Sequence, residues 1–327
     1  MKKNIALVAG GNSSEYGVSI NSAAQIEAVL DTNRYNIYKV VIRGDDWVVS
    51  SPMACDIPVD KSDFSFRLNN QKTSFHCALI IIHGTPGENG ILQGYFEMLN
   101  IPYTTAGILA SSLTFNKVFT KNYLKPFNIP TANYVLVTQK HRPATQEILD
   151  KTGLPCFVKP NKGGSSFGIT KVKSEEQLQP AIDKAFEEDN EVLIEQFLEG
   201  TELTCGVLKT RGKTYLLPPT EIVSKNEFFD YEAKYTKGMA DEITPARISK
   251  ALEKEIQERS SFIYDTLNMK GLIRVDYIYA NNTLYFMEVN TTPGMSAASI
   301  VPQQVEAAGY DLGELFGEII EDALLQH

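Results

Sequence analysis

The clearest alternation of apolar and polar residues lies near the end of the chain. Two runs rich in apolar and β-branched residues, Leu272 to Tyr279 and Leu284 to Val289, are separated by Asn281 and Asn282, which favour tight turns. The pattern predicts a β-hairpin, in which successive side chains point to opposite faces.

The register of this hairpin decides which residues share a face. With a turn at residues 281–283, Asp276 faces Glu288 and Arg274 faces Asn290, and all four side chains share one face. The opposite face is apolar and is predicted to pack: Ile273, Val275, Tyr277, Met287 and Val289.

The polar face has two interpretations. Burying two carboxylates, an amide and a guanidinium is costly unless they are paired or bind a metal. Mg²⁺ fits such a face, since it takes oxygen ligands from one or two carboxylates together with waters and substrate phosphates. The alternative is a solvated face on which Arg274 pairs with a carboxylate, and the hairpin alone leaves both open.

The start of the chain has the pattern of an α/β unit. An apolar strand at residues 4–9 is followed by a glycine turn and a helical pattern from Val18 to Leu30. Strands at Ile37 to Ile42 and Ala78 to Ile82 are predicted to complete a small sheet. The glycines of the turn lack the G-x-G-x-x-G spacing, so no dinucleotide site is predicted.

Two polar residues lie where strands of this sheet end, the edge at which α/β sheets bind ligands. Glu15 either forms a capping-box variant with Asn12 or offers its carboxylate to an ammonium group. His83 closes the third strand before the run HGTPGENG and a helix at 92–99, and it is either a ligand contact or a cap. Both alternatives stay open at this point.

A change of pattern near residue 105 indicates a domain boundary. Short helices around Lys117 and Lys121 precede a strand at 134–137 and a helix at 144–151. The run GLPCFVKPNKGGSSFGITKV then predicts a strand ending in Lys159, a loop of small residues and a return strand. Such a loop either lays backbone N–H groups against phosphates or is a flexible hairpin turn, and it lacks the P-loop spacing.

The stretch that follows has a pattern suited to a nucleoside-binding site. An amphipathic helix from Ser174 to Glu187 leads to the strand Val192 to Phe197, which carries Glu195, and Glu202 follows on the next strand. Backbone amides and a carboxylate are suited to a base and to ribose hydroxyls, although each glutamate alone is more often a solvated strand residue.

The remaining segments predict a lid and helices. The polar stretch from Pro218 to Ile248 is interpreted as a long loop, in which FFDYEAKY (228–235) either packs on the body or covers a substrate. A helix from Ser249 to Leu267 leads into the hairpin, and terminal helices begin at Pro302 and Asp311.

Composition narrows the function classes. The 327 residues are 43% hydrophobic and 22% charged, as in globular proteins of two or three domains, and no apolar run of about 18 residues occurs. A net charge of -9 argues against broad binding to nucleic acid or anionic membrane. The four cysteines form no CxxC, so neither a disulfide framework nor a zinc site is predicted, and a cytoplasmic location is expected.

A set of motifs identifies a family. The chain carries, in this order, GGNSSEYGVS, HGTPGENGILQG, FVKPNKGGSSFG, LIEQFLEG, DYEAKY, IRVDY and MEVNTTPGM. In that order and at those separations they resemble the D-alanine:D-alanine ligase family of the ATP-grasp superfamily, over nearly the whole chain.

The resemblance implies an α/β (α+β) three-domain ATP-grasp fold. Residues 1–105 would form an N-terminal α/β domain on the side of the first substrate, and residues 106–197 a central domain with the phosphate-binding loop. Residues 198–327 would form a C-terminal domain with the lid, the metal site and the oxyanion site. ATP would lie between the antiparallel sheets of the last two domains.

The reaction implied is ATP-dependent formation of D-alanyl-D-alanine for peptidoglycan. The carboxylate of one D-alanine attacks the γ-phosphate of ATP, and the amine of a second D-alanine attacks the resulting acyl phosphate, with release of ADP and phosphate. Homodimers are the family expectation. The alternatives are another ATP-grasp carboxylate-amine ligase with a different acceptor, and an inactive ATP-binding relative.

The resemblance also implies roles for individual residues. Two Mg²⁺ ions, with Mn²⁺ as an alternative, would be held by Asp276, Glu288 as the bridging ligand, and Asn290. The catalytic set would be Glu15, Ser165, Tyr235, Arg274 and Gly294. Substrate contacts would come from Glu15, His83, Arg274, Ser299 and Ile300. ATP contacts would come from Lys117, Lys159, Ser165, Ser166, Glu195, Phe197, Leu198, Glu202, Lys234 and Met287.

Some of these roles have a physical basis. Phosphoryl transfer needs mainly positioning and charge neutralisation, and Arg274 with the Gly294 N–H would stabilise the tetrahedral oxyanion. Tyr235 and Ser165 would form a hydrogen-bonded pair that links the lid to the substrate. A tyrosine with a reference pKa near 10 is a poor base at pH 7, so Tyr235 is expected to orient the closed lid, and it favours an amine acceptor over D-lactate.

Two positions depart from the family pattern. Gly163 stands where many relatives have Glu, and Phe197 stands where a Trp is frequent beside the adenine. Neither departure touches the groups that carry the chemistry.

Overall fold

Three β-sheets organise the chain. The computed structural model describes residues 2–50, 55–164, 168–224 and 240–325. None of the helices in these ranges combines the length and the apolar character needed to cross a membrane.

The first sheet is built around a parallel centre. Its elements are β1 (Lys3–Gly10), α1 (Tyr16–Val29), β2 (Tyr35–Arg43), β3 (Asp46–Val49), β4 (Ile57–Asp60), β5 (Ser65–Leu68), β6 (Gln71–Ser74), β7 (Cys77–Ile80) and α2 (Ile91–Met98). The strand order is β6-β5-β4-β3-β2-β1-β7, and β1 runs parallel to both β2 and β7. Both faces of β1 are buried, since the side chains from Ile5 to Ala9 have no exposure, which explains the continuous apolar run IALVA.

The expectation of a small first sheet was wrong. The strands β3 to β6 extend it to seven strands by antiparallel pairing. Each of these four strands has only four residues, and β6 reads QKTS. Strands of four residues are too short for a pattern of apolar residues to identify them.

The second sheet is antiparallel and follows a pair of short helices. The elements are α3 (Ile108–Phe115), α4 (Lys117–Leu124), β8 (Tyr134–Thr138), α5 (Thr145–Thr152), β9 (Cys156–Pro160), β10 (Thr170–Val172), α6 (Leu178–Phe186) and β11 (Glu191–Gln196). The strand order is β10-β9-β11-β8. The predicted strand ending in Lys159 and the strand carrying Glu195 are neighbours, β9 and β11.

The third sheet contains the predicted hairpin. Its elements are β12 (Thr201–Lys209), β13 (Thr214–Leu216), β14 (Thr220–Ser224), β15 (Ala240–Ile243), α7 (Lys250–Thr266), β16 (Ile273–Ala280), β17 (Thr283–Asn290), α8 (Ile300–Ala307) and α9 (Leu312–Leu325). The order is β15-β14-β12-β16-β17, and β13 pairs with β12. The strands β14 and β15 lie within the stretch 218–248 that was predicted to be a loop. That prediction was wrong for residues 220–224 and 240–243.

The facing pairs of the hairpin are confirmed, although the length of the turn and a bulge in the ladder were not predicted. Arg274 pairs with Asn290 and Asp276 with Glu288, as expected. The turn, however, has two residues, Asn281 and Asn282, both with positive φ (49° and 58°), so Ala280 pairs with Thr283. A β-bulge in the ladder after the Asp276–Glu288 pair supplies the extra residue that restores the register.

The bulge corrects one prediction about the apolar face. Tyr277 pairs with Phe286, and both are fully buried. Met287, expected on the packing face, is the extra residue and lines the cavity beside Glu288.

The last helix packs against the first sheet. Phe316, Ile319 and Ile320 of α9 share a buried cluster with Leu7 of β1 and Ile26 of α1. Polar contacts close the rim of this cluster, since Glu321 accepts hydrogen bonds from Lys3 at 2.8 Å, Arg34 at 3.0 Å and the hydroxyl of Tyr35 at 2.8 Å.

Candidate active site

A cavity of about 1200 Å³ lies where the three sheets meet. The first sheet contributes the loops at 12–15 and 83–88, and the second contributes β9 and the loop that follows it. The third contributes β12, β14, β16 and β17 together with the segment at 292–300. The cavity therefore gathers residues from most of the predicted motifs.

The polar face of the hairpin lines this cavity. The Arg274 guanidinium donates two hydrogen bonds of 2.8 Å to the two carboxylate oxygens of Asp276. The Asn290 amide donates to Asp276 at 2.9 Å, and the Thr204 hydroxyl donates to Asp276 at 2.5 Å. Burial would lower the pKa of Arg274, but the Asp276 carboxylate raises it above its ordinary range, so the guanidinium stays charged.

The donor set of this face fits a hard cation. Asp276 and Glu288 are cross-strand partners and Asn290 follows two residues on, so two carboxylates and an amide oxygen share one wall. Within the described ranges no cluster of three or more His, Cys, Asp or Glu side chains is arranged for a metal. A Mg²⁺ ion held by this face would take its remaining ligands from phosphates and water.

Lys117 joins the second sheet to the hairpin. Its ammonium lies 3.2 Å from Glu288 Oε2 and donates to the Gly163 carbonyl at 2.8 Å. Lys117 is the first residue of α4, and Asn116 caps that helix by accepting from the Phe119 N–H. The backbone from which the Lys117 side chain extends is therefore fixed at the edge of the cavity.

A buried ion-pair cluster of Glu195, Lys121 and Lys159 lies at one wall of the cavity. One Glu195 oxygen is 2.6 Å from Lys121 Nζ and the other is 2.5 Å from Lys159 Nζ. Burial alone would raise the pKa of Glu195, but the two lysines lower it to about 2. Both oxygens of Glu195 are thus taken by lysines, and of the three side chains only Lys159 lines the cavity.

The predicted adenine side is aromatic. Phe197, Leu198 and Glu202 line the cavity, and Phe197 packs edge-on against Phe157 with ring centres 5.8 Å apart. The ammonium of Lys171 lies 3.8 Å from the centre of the Phe197 ring, which is a cation–π contact. The ring that stands in place of a Trp is therefore held on two sides.

Glu15 projects into the cavity at the end of β1. It is the N-cap residue of α1 but makes no side-chain cap, and the Asn12 side chain accepts from Gly44 instead, so the capping-box alternative was wrong. A Cβ at Gly164 would lie 2.9 Å from a Glu15 oxygen, so a larger residue there would have to displace the Glu15 carboxylate.

His83 is buried and both ring nitrogens have partners. Nδ1 lies 2.6 Å from the Thr292 carbonyl, and Nε2 lies 3.3 Å from the Ser22 hydroxyl. Burial lowers the pKa of His83 more than the Glu15 carboxylate raises it, so the ring is neutral at pH 7. A carbonyl only accepts, so the proton is on Nδ1.

Glu88 holds the same segment from the other side. It accepts from the Thr292 N–H at 3.0 Å and from the Gly84 N–H at 2.8 Å. Burial, with the nearby Glu15 carboxylate, raises the pKa of Glu88 to about 7.

The far end of the cavity is a helix N-terminus. Ser299 is the N-cap residue of α8, yet its hydroxyl caps no helix N–H and pairs instead with Ser296 at 2.8 Å. Ile300 and Gly294 line the cavity beside it, and a Cβ at Gly294 would lie 2.9 Å from Ser299 Oγ. The free N–H groups of a helix start favour a carboxylate.

One carboxylate at this end had not been predicted. Glu242 of β15 lines the cavity and accepts from Gln303 of α8 at 3.0 Å. It pairs in register with Ile222, which pairs with Glu202, so the three side chains point to one face. Recognising Glu242 from sequence would have required β15, whose four residues read ADEI.

Most of the predicted site residues lie together, and a few cannot be placed. Those that line the cavity are Glu15, His83, Lys117, Lys159, Phe197, Leu198, Glu202, Arg274, Asp276, Met287, Glu288, Asn290, Gly294, Ser299 and Ile300. Ser165, Ser166, Lys234 and Tyr235 lie outside the described residues. Glu195, predicted as an ATP contact, is buried between two lysines and does not line the cavity. Sequence reasoning missed the contacts of Ser22, Glu88, Lys121 and Glu242, because each is made to a distant element. Glu88 lies within the run HGTPGENG, but nothing in that run indicates its partner Thr292.

Comparison with known proteins yields one consistent result. The family model for the D-ala D-ala ligase N-terminus matches residues 4–106, and the model for the D-ala D-ala ligase C-terminus matches residues 123–321. A D-alanine–D-alanine ligase of Bacteroides fragilis is 51% identical over 323 residues, which cover 98% of this chain and 99% of the relative.

Solved structures agree with these relatives. The crystal structure of the VanG D-Ala:D-Ser ligase from Enterococcus faecalis superposes with a TM-score of 0.89 at 32% identity and covers 99% of this chain and 100% of that one. The D-alanine–D-alanine ligase from Bacillus anthracis complexed with ATP gives a TM-score of 0.79 at 30% identity, covering 99% and 98%.

Proposed function

Because the chain belongs to the D-alanine–D-alanine ligase family, we propose how its own residues carry out the ligation. The enzyme joins two D-alanines in an ATP-dependent reaction through an acyl phosphate, with release of ADP and phosphate, and so supplies a peptidoglycan precursor. The observation that carries the residue assignment is the polar wall of Arg274, Asp276, Glu288 and Asn290 in one cavity with Glu15 and two lysines.

We assign the contacts with the phosphates of ATP to Lys117 and Lys159. Both ammonium groups line the cavity, and both would neutralise the charge of the transferred phosphoryl group. Asp276, Glu288 and Asn290 would hold the Mg²⁺ ions. When bound, Mg²⁺ supplies further charge neutralisation at the phosphates.

The first D-alanine is assigned to the end of β1. Its ammonium group would pair with Glu15, the carboxylate that the Gly164 loop approaches closely. Its carboxylate would then face the γ-phosphate, which is the arrangement that in-line attack requires.

The second D-alanine is assigned to the start of α8. Its carboxylate would accept hydrogen bonds from Ser299 and the Ile300 N–H, supported by the helix dipole. Arg274 and the Gly294 N–H would stabilise the oxyanion that forms when the amine attacks the acyl phosphate. Glu242 lies at this end of the cavity, which favours an acceptor that carries an amine.

The first experiment is a substrate comparison. Phosphate release from ATP and Mg²⁺ is measured with D-alanine, L-alanine, D-alanine plus D-serine, and D-alanine plus D-lactate, and the products are identified by mass. D-alanine-dependent release with formation of D-alanyl-D-alanine is the expected result. A mixed D-Ala-D-Ser product in preference to D-alanyl-D-alanine would reassign the acceptor, and no release with any pair would refute the ligase function.

Two further points of organisation are part of the proposal. We assign residues 1–105, 106–197 and 198–327 to three domains, supported by one sheet in each. We also propose a homodimer, as expected for the family, and sedimentation equilibrium tests it, since a mass near 36.4 kDa would mean a monomer.

A further inference from the structure

The segment that carries Gly294 is held by residues of the first sheet. Thr292 donates its N–H to Glu88 at 3.0 Å, and its carbonyl lies 2.6 Å from His83 Nδ1. Two residues past Pro293, Met295 donates its N–H to the Ser22 hydroxyl at 3.0 Å. Gly294 therefore lies between two anchored residues.

Ser22 joins these anchors into one chain of hydrogen bonds. Because Nδ1 of the neutral His83 ring carries the proton, Nε2 can only accept, and the Ser22 hydroxyl donates to it. The same oxygen accepts from Met295. The bonds run in one direction, from the Met295 N–H through Ser22 and His83 to the Thr292 carbonyl.

The chain of bonds also reaches the site of the first substrate. The Ser13 hydroxyl donates to the His83 carbonyl at 2.9 Å and accepts from the Glu15 N–H at 3.2 Å. One connected set of hydrogen bonds thus sets both the backbone of Glu15 and the position of Gly294.

We propose that Ser22 is a positioning residue, whose hydroxyl holds the Gly294 N–H where the oxyanion forms. Without the hydroxyl, the Met295 N–H loses its acceptor and His83 Nε2 loses its donor. Of the hydrogen bonds that the described residues make to the segment at 292–295, those at Thr292 then remain, together with the buried side chain of Met295. This inference rests on the proposed function, since it concerns the oxyanion of that reaction.

The test separates positioning from folding. Ser22→Ala and Ser22→Cys are measured for kcat, for KM of D-alanine, for ATP affinity without D-alanine, and for affinity of a phosphinate analogue of the dipeptide, whose tetrahedral centre mimics the oxyanion. For Ser22→Ala we expect kcat and phosphinate affinity to fall together by about ten- to a hundredfold, since small misplacements of catalytic groups have effects of this size. ATP affinity should stay within about twofold, and Ser22→Cys should be intermediate, because a thiol is a weak donor and acceptor.

Ser19 provides a matched control on the same helix. Like Ser22 it is fully buried, but its hydroxyl bonds only to the Gly10 N–H and the Ile81 carbonyl within the first sheet. Ser19→Ala should lose stability with kcat within about threefold of wild type.

Either of two results would overturn the inference: unchanged kcat and phosphinate affinity in Ser22→Ala, or equal losses of kcat in Ser19→Ala and Ser22→Ala. A failure of the wild-type enzyme to form any dipeptide would instead refute the proposed function.

Discussion

The buried cluster of Lys121, Glu195 and Lys159 makes a prediction about stability that can be worked out in magnitude. In Glu195→Gln the carboxylate is lost, while Lys121 stays fully buried without a counter-charge. Removing one partner of a buried pair costs about 3–5 kcal/mol. The pKa leads to a similar figure, because a fall from 4.5 to about 2 corresponds to about 3 kcal/mol.

The pH dependence of this loss has a defined sign. The folded-state pKa of Glu195 is depressed, so its stabilisation is present above the unfolded pKa of 4.5 and disappears as the pH falls toward 2. The difference in unfolding free energy between wild type and Glu195→Gln should therefore narrow by about 1 kcal/mol from pH 7 to pH 3.5.

A double-mutant cycle tests the pairing directly. Lys121→Met keeps the apolar stem and should cost about 2 kcal/mol, and the double variant with Glu195→Gln should lose less than the sum by about 2 kcal/mol. Unfolding in urea is followed by far-ultraviolet circular dichroism. Emission of Trp47, the single tryptophan of the chain, follows the first sheet separately.

An exposed pair serves as the control. In α7, Lys254 lies 3.6 Å from Glu258 and the two side chains are 75% and 66% exposed, so Glu258→Gln should cost below about 0.5 kcal/mol. The reasoning fails if Glu195→Gln costs less than about 1 kcal/mol at pH 7, or if its cost does not change at pH 3.5.

Three further predictions follow from the hairpin and its neighbours. Glu288→Gln should lower turnover at least about a hundredfold, because it weakens the proposed metal sites. Glu258→Gln, on the exposed face of α7, should leave turnover unchanged. A kcat of Glu288→Gln within about threefold of wild type, with unaltered Mg²⁺ dependence, would refute the metal assignment. Burial raises the pKa of Glu88 to about 7, so ionisation of Glu88 destabilises the folded state as the pH rises from 4.5 through 7. The free energy of unfolding of Glu88→Gln should therefore rise relative to wild type by about 3 kcal/mol between pH 4 and pH 8. Parallel pH curves of the two proteins in thermal unfolding would contradict this. Asn281→Val should lower the free energy of unfolding by about 1–2 kcal/mol, because a β-branched residue is strained at a φ of 49°. Asn282→Gly should be neutral or stabilising. Equal melting temperatures for the two variants would argue against the turn assignment.

The hairpin illustrates how much of the site could be predicted from sequence. Alternation and turn residues predicted both strands, and the facing pairs Arg274–Asn290 and Asp276–Glu288 were confirmed. The two-residue turn was not predicted, because residue type alone does not exclude Thr283 from a turn. The bulge was not predicted either, since it depends on how Phe286 fits the core behind the sheet.

The missed residues share a physical reason. Lys121 was recognised only as part of a short helical pattern, yet it is fully buried against a glutamate on another element. Long-range pairings of this kind leave no periodicity in the sequence. Glu88 and Ser22 were passed over for the same reason, because their partners lie on the segment at 291–295.

The packing of α9 on the first sheet has a consequence for biosynthesis. The apolar side chains of β1 and α1 leave the ribosome long before Phe316 and Ile320 of α9, which bury part of them. Contacts such as Lys3 to Glu321 span 318 residues. The first sheet cannot complete its core until α9 has been translated, so the nascent chain carries an exposed apolar face up to that point, and this is the interval in which a chaperone would bind it.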